Sequence, residues 1–218
     1  MAYSQRRQPR VPTSGRKLDR LLADIRACRV CVECPAGAPL PHAPRPIIRA
    51  RSSARIAVAG QAPGVRVHAS GKPFTDPSGD RLRAWLAVTP AQFYDQRKIA
   101  IVPMGFCFPG HDRAGGDLPP RRECARAWHT RLFALMPQLE LVLLVGSYAQ
   151  RWHLDTGQVS MTDVVGRWRE QLGAAARPRR VALPHPSWRN NGWLGKNPYF
   201  EQDLLPELRR QVRTLITR

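Results

Sequence analysis

Acidic side chains are scarce in this chain: 16 Asp and Glu stand against 35 Lys and Arg among 218 residues, a formal net charge of +19. Lysine is scarcer still. It occurs only at Lys17, Lys72, Lys98 and Lys196, so nearly all the positive charge is arginine. An arginine bias also arises from GC-rich coding, but a surplus of this size suits a polyanionic partner, because each neutralised phosphate releases condensed counterions. No apolar run approaches the roughly 18 residues a membrane-spanning helix needs. The first residues, MAYSQRRQPRVPTSGRK, lack the hydrophobic stretch of a secretory signal and read as a flexible basic arm over 1–16. Neither GxxxxGK[ST] nor GxGxxG occurs, which disfavours an enzyme of phosphorylated small molecules or dinucleotides. Cysteines number five, an odd count that argues against a disulfide framework.

What remains is the composition of a folded protein, 43% hydrophobic and 23% charged, long enough for one sizeable core over 17–218. Four short apolar runs stand out: Arg55–Ala59, Lys98–Val102, Glu140–Val145 and Arg179–Leu183. Each is followed by Gly or Pro. Amphipathic helical segments are expected at Leu18–Ala27, Asp80–Leu86, Arg122–Leu135, Tyr148–Leu154 and Phe200–Ile216. Continuous apolar strands alternating with helices predict a three-layer αβα fold around a central, mainly parallel sheet of about four strands. Such sheets carry function outside their carboxyl edge. There the sequence reads GQAPG, PMGFCFPG, GSYAQ and PHPSWRN, while Pro35–Pro46 is a Pro-rich connecting loop.

The segment GQAPG at Gly60–Gly64, followed by GKPFTDPSGDRL, and the later HPSWRN at His185–Asn190 resemble the two signature motifs of uracil-DNA glycosylases, in order and spacing. The resemblance covers about residues 18 to 214 and is nearest to the bacterial branches that include the iron–sulfur families. It implies an enzyme that flips a base from the DNA stack into a tight pocket and cuts the base–sugar bond. The residues themselves suit that chemistry. Backbone N–H groups of the Gly60, Gln61, Ala62, Pro63, Gly64 turn can meet a base carbonyl, Phe74 offers a stacking face, and His185 can donate to the base as anionic charge develops. Ser187, Arg189 and Asn190 lie where a phosphate is held. Taken alone, Phe74 reads as a core aromatic and His185 as a turn histidine; the two motifs together reverse that balance.

The chain departs from the family pattern in two places. Branches with GQDPY carry an aspartate at the third motif position and those with GEAPG a glutamate at the second, whereas here Gln61 and Ala62 stand there. Asp76, in PFTDPSGD, is the expected replacement, by likeness to a branch with GLAPA that has an aspartate in FTGD; Asp80 is the runner-up and reads more readily as a helix cap. The asparagine that reads uracil in the iron–sulfur branch falls on Pro103, so a wider range of deaminated bases is expected, with backbone contacts from Pro103–Phe106.

Cys28 and Cys31, with Cys107 and Cys124, resemble the four ligands of the iron–sulfur glycosylases, which implies a structural [4Fe–4S] cluster. Thiolates suit zinc equally well, and ordinary buried thiols are a third reading. Cys34 is spare, or takes the place of Cys31. The aromatic stretch Trp188–Phe200 supplies candidates for a wedge pushed into the vacated stack, Trp188, Trp193 and Leu194 among them. The loop Pro109–Pro120 is read as surface or DNA-facing, and His68, His129 and His153 receive no role. With no lysine in a motif position, lyase chemistry is not expected. The expectation is therefore a monomeric, cytoplasmic, nucleoid-associated bacterial glycosylase acting on DNA through His185, Asp76 and Gln61. The alternative is a protein that binds damaged or abasic DNA on the same scaffold without cutting it.

Overall fold

The computed structural model describes the backbone from residue 13 onward and the side chains from residue 14. The expected basic arm thus lies outside the described residues except for 13–16, which form the first turn of helix α1 (Thr13–Arg26). After α2 (Val30–Glu33) come β1 (Ile56–Ala59), α3 (Val65–Ser70), α4 (Pro77–Leu86), α5 (Pro90–Tyr94) and β2 (Ile99–Ile101). The second half holds α6 (Arg122–Cys124), a π-helical stretch (Ala125–His129), α7 (Thr130–Ala134), β3 (Leu141–Val145) and α8 (Ser147–Leu154). Then follow α9 (Met161–Gly166), α10 (Trp168–Gly173), β4 (Arg179–Leu183), α11 (Asn191–Lys196), a second π stretch (Phe200–Leu204) and α12 (Leu205–Ile216).

The four strands form one parallel sheet in the order β2-β1-β3-β4, with Ile56 opposite both Ile99 and Leu141, and Leu141 opposite Arg179. Strand side chains alternate between faces, so two cores form. Ile56, Val58, Ile99, Ile101, Leu141, Leu143 and Val145 point to one face and pack under α4, α5, α10 and α12. Ala57, Ala59, Ala100, Val142 and Leu144 point to the other, under α1, α7 and α8. The three-layer architecture follows from strands that are apolar on both faces. Every residue of β1, β2 and β3 is buried, and in β4 all but Arg179 and Arg180, which explains the continuous rather than alternating hydrophobic runs.

The chain leaves β1 to build β2 on one side, then crosses to build β3 on the other. Between β1 and β3 the order reverses, and at the carboxyl edge a crevice opens at that point. The segment expected as one helix over Arg122–Leu135 is interrupted by its π stretch, in which His129 is 1% exposed. His129 Nε2 lies 3.1 Å from the Pro103 carbonyl, so that nitrogen carries the proton, while its Nδ1 is buried without a partner. Phe106 stacks on its ring at 5.6 Å and 8°.

Burial pushes His129 down to about 4 and the neighbouring His153 down to about 3. Both imidazoles are neutral in the folded protein and ordinary in the unfolded chain, which therefore binds protons first as pH falls. Stability is complete above about pH 6.5 and declines toward pH 4 and below, His129 alone accounting for on the order of 3 kcal/mol at full extent. A melting-temperature series from pH 7.5 to 4 is expected to slope downward below 6.5, and His129→Gln is expected to flatten part of that slope.

Candidate active site at the carboxyl edge of the sheet

The turn that follows β1 is closed by its carbonyls. Gly60 O accepts from Met104 N, and Gln61 O accepts from Gly105 N, each at 2.9 Å; Gly64 O accepts from His68 N at 2.8 Å. Among the described residues, no acceptor takes the N–H of Gln61, Ala62 or Gly64. These donors belong to the lining of a cavity of about 560 Å³. Gln61 occupies the crevice itself: a β-carbon on Gly146, at the end of β3, would stand 3.0 Å from its amide nitrogen. Gly146 holds a positive φ of 85° there, a backbone conformation that glycine tolerates.

Phe74 forms a wall of the cavity, its ring 3.4 Å from where a β-carbon of Gly60 would lie and edge-on to Phe93 at 5.8 Å. Its own backbone is left-handed, with φ 56°, costly for a bulky residue. The surroundings hold it there. The Phe74 carbonyl accepts from Arg83 Nη1 at 2.9 Å and from the Tyr94 hydroxyl at 3.0 Å, and Gly79 leaves room for it. Asp76 follows at the N-cap of α4, where its Oδ1 accepts from Gly79 N at 3.3 Å, and it too lines the cavity. The capping role read for Asp80 thus falls on Asp76; Asp80 is exposed in the first turn and pairs with Arg83 at 2.6 Å.

From the far end of the sheet, Pro184 delivers His185 to the same cavity, with Ser187, Arg189 and Asn190. Ser187 Oγ caps the short turn after it by accepting from Arg189 N, and Asn190 Nδ2 donates to the His185 carbonyl at 2.7 Å. Arg81 of α4 reaches across to the Ser187 carbonyl and the Asn191 side chain, tying the two motif segments together. Burial lowers the His185 imidazole from its usual range, and the negative charges of Asp76 and Asp117 oppose that in part. The ring is therefore neutral near pH 7 and can donate one hydrogen bond.

The cavity brings together Gly60, Gln61, Ala62, Pro63, Gly64, Phe74, Asp76, His185, Ser187, Arg189 and Asn190, each expected there from sequence. Trp193 stands apart from them. It lies on α11 with its indole N–H donating to Thr162 Oγ1 at 2.8 Å and its ring edge-on to Tyr199 and Phe200, so its face is occupied by packing and it does not line the cavity. Leu194 also packs against the core, whereas Trp188 is 73% exposed. The pocket wall is narrower than expected. Of Pro103–Phe106 only Pro103 lines the cavity, because the N–H groups of Met104 and Gly105 are taken by the motif turn. Sequence reasoning missed Asp117, which reaches the lining from the loop after β2, and His129, which fixes the Pro103 carbonyl from behind.

Cys31, Cys107 and Cys124 are buried and Cys28 is partly so; Cys34 is exposed at the end of α2. A hydrogen bond with Cys124 draws the Cys31 thiol down to about 7, and that bond together with burial holds Cys124 protonated. Burial pushes Cys107 up to about 11, and the neighbouring thiols of Cys31 and Cys28 add to this. Backbone N–H groups of Arg45 and Phe106 point at the sulfurs of Cys107 and Cys124. Among the described residues, no three His, Cys, Asp or Glu side chains close on a single metal-ion position.

The clamp on Phe74 can be broken at one atom. A β-carbon on Gly79 would stand 1.9 Å from the Phe74 carbonyl oxygen, an impossible contact with backbone. Gly79→Ala is expected to cost at least about 2 kcal/mol in chemical denaturation, and to disturb the cavity wall even where the variant folds.

One comparison bears on what this cavity belongs to. The profile of the Uracil DNA glycosylase superfamily matches residues 49–209, a span that takes in the whole sheet and both motif segments. No described helix is long and apolar enough to cross a membrane. With the match extending over most of its length, the chain belongs to the uracil DNA glycosylase superfamily.

Proposed function

We propose that the chain is a monofunctional DNA glycosylase that hydrolyses the N-glycosidic bond of uracil or a related deaminated base, working as a monomer on nucleoid DNA in the bacterial cytoplasm. The observation that carries the reading is the meeting of Asp76 and His185 in one cavity, though 109 positions separate them in the chain, with Phe74 as its wall and the unpaired N–H groups of the Gly60–Gly64 turn in its lining.

The division of labour follows from charge. Breaking the bond sends an electron pair onto the base and leaves the sugar cationic. His185, neutral and partly buried, donates to the base carbonyl as that charge grows, and the turn N–H groups assist; such donors act strongly where water is excluded. Asp76, fixed by its cap bond to Gly79, supplies the negative charge that steadies the cationic sugar. Gln61 holds the turn open at the crevice and takes the place of the motif carboxylates, not their chemistry. Phe74 stacks on the flipped base, Ser187, Arg189 and Asn190 hold backbone phosphate, and exposed Trp188 fills the gap left in the stack.

Cys28, Cys31, Cys107 and Cys124 fit a [4Fe–4S] cluster by donor chemistry and by their convergence, with N–H groups already aimed at two of the sulfurs. A cluster ties each thiolate to a different iron, so its ligands need not crowd around one ion as zinc requires. Its contribution would be structural: it joins α2 to the loop after β2 and to α6. Anaerobically purified protein is expected to contain iron and acid-labile sulfide, with Cys107→Ser losing both and melting earlier. Zinc in place of iron would assign the thiols to the other metal.

The decisive assay is base release from oligonucleotides carrying uracil, hypoxanthine or xanthine. Wild type is expected to yield abasic product, His185→Ala and Asp76→Asn each to slow it by about 100-fold or more. Because the neutral imidazole is the working form and burial lowers its pKa, the rate is expected to stay level from about pH 8 down through the ordinary imidazole range and to fall only on acidification below that range. Retained binding of abasic DNA with no base released from any substrate would make the chain a damage-binding protein instead.

A further inference from the structure

The loop between β2 and α6 is rich in Gly and Pro, yet it is built rather than loose. His111 and Asp117 pair as an antiparallel bridge, and Asp112 Oδ1 accepts from Ala114 N and Gly116 N, both at 2.9 Å. Gly110 and Gly115 take the positive φ values, 99° and 78°, that so tight a reversal demands. The result sets Gly115, Gly116 and Asp117 on the lining of the cavity.

Asp117 stands in a particular place there. A β-carbon on Gly64 would lie 3.1 Å from its Oδ2, so the carboxylate stands close against the last residue of the motif turn. Its Oδ1 is 3.2 Å from His111 Nδ1, and His111 is itself braced edge-on against Phe108 at 5.0 Å. Its charge reaches His185 from this loop, as that of Asp76 does from α4. Asp76 differs in its surroundings: its Oδ1 is committed to capping α4 and it sits beside the stacking wall. The Asp117 side chain is 53% exposed, open to the solvent that must supply the attacking water.

We propose that Asp117, oriented by His111, accepts the proton of the attacking water, while Asp76 serves the sugar cation. The assignment rests on the glycosylase reading above and deepens it. In the step, the C1′–N bond breaks with its electron pair going to the base. A water oxygen bonds C1′, its proton passes to the Asp117 carboxylate and from there to solvent, and the base anion takes a proton from solvent. The carboxylate missing from Gln61 and Ala62 is thereby restored from a different loop. Asp117 is the catalytic residue of this pair and His111 a positioning residue.

The test is single-turnover base release at saturating enzyme, alongside affinity for an uncleavable 2′-fluoro-uridine oligonucleotide. Asp117→Asn and Asp117→Ala are expected to slow release by about 100-fold with affinity unchanged, and added azide to restore part of the Asp117→Ala rate. His111→Ala is expected to lose about 10-fold, and His111→Asn, which keeps a donor near Nδ1, to recover most of it. Wild-type rates in Asp117→Asn, or a rate loss matched by lost affinity, overturn the proposal while leaving the glycosylase reading intact. A wild-type chain that releases no base removes the reading and this assignment together.

Discussion

Parallel pairing of four strands, with every β1 and β3 residue buried on both faces, is the constraint from which the site follows. A parallel sheet ends all its strands at one edge, so four separate loops must turn there. The reversal of strand order between β1 and β3 then leaves a gap that no helix fills. Residues from positions 60 to 190 meet in that gap because the ladder of backbone hydrogen bonds sets the register, and the apolar side chains of both cores hold the ladder dry. The small residues Ala57, Ala59 and Ala100 on one face bring that helical layer close, while the bulkier Ile and Leu on the other carry the layer that contributes Phe74 and Asp76.

Against that rigid edge the site stores local cost. Phe74 in the left-handed region and His129 buried with an unpartnered nitrogen each oppose folding, while the motif N–H groups face the cavity without a protein acceptor. Phe74 and the motif N–H groups are also where a base-sized ligand would find something to bind. Arg83 and Tyr94 hold the Phe74 carbonyl, and His129 holds that of Pro103, so the walls are set before any substrate arrives. Preorganised donors of this kind need no rearrangement as charge develops.

Charge is distributed to the same end. With so large an excess of arginine, a polyanion is attracted without any sequence being read. The few acids near the cavity, Asp76 and Asp117, are therefore conspicuous, since both oppose the attraction of phosphate and both approach His185. Each is held by a specific partner: one by the helix it caps, the other by His111.

The strand core was legible because apolar residues on both faces leave no other solution. The four expected runs match β1 to β4 within a residue at their ends, and the long amphipathic helices α1, α4, α8 and α12 showed their period over two turns or more. The six-residue helices α3, α9, α10 and α11 did not, because so few residues cannot distinguish a helical repeat from a loop. The motif residues were legible as local patterns, and the sequence by itself determined that Gly60–Gly64, Phe74, Asp76 and His185 would end at one edge. Three-dimensional packing alone decided the rest. It turned Trp193 onto Thr162 and carried Asp117 to Gly64, because each depends on a contact between segments far apart in the chain, where periodicity and spacing carry no information.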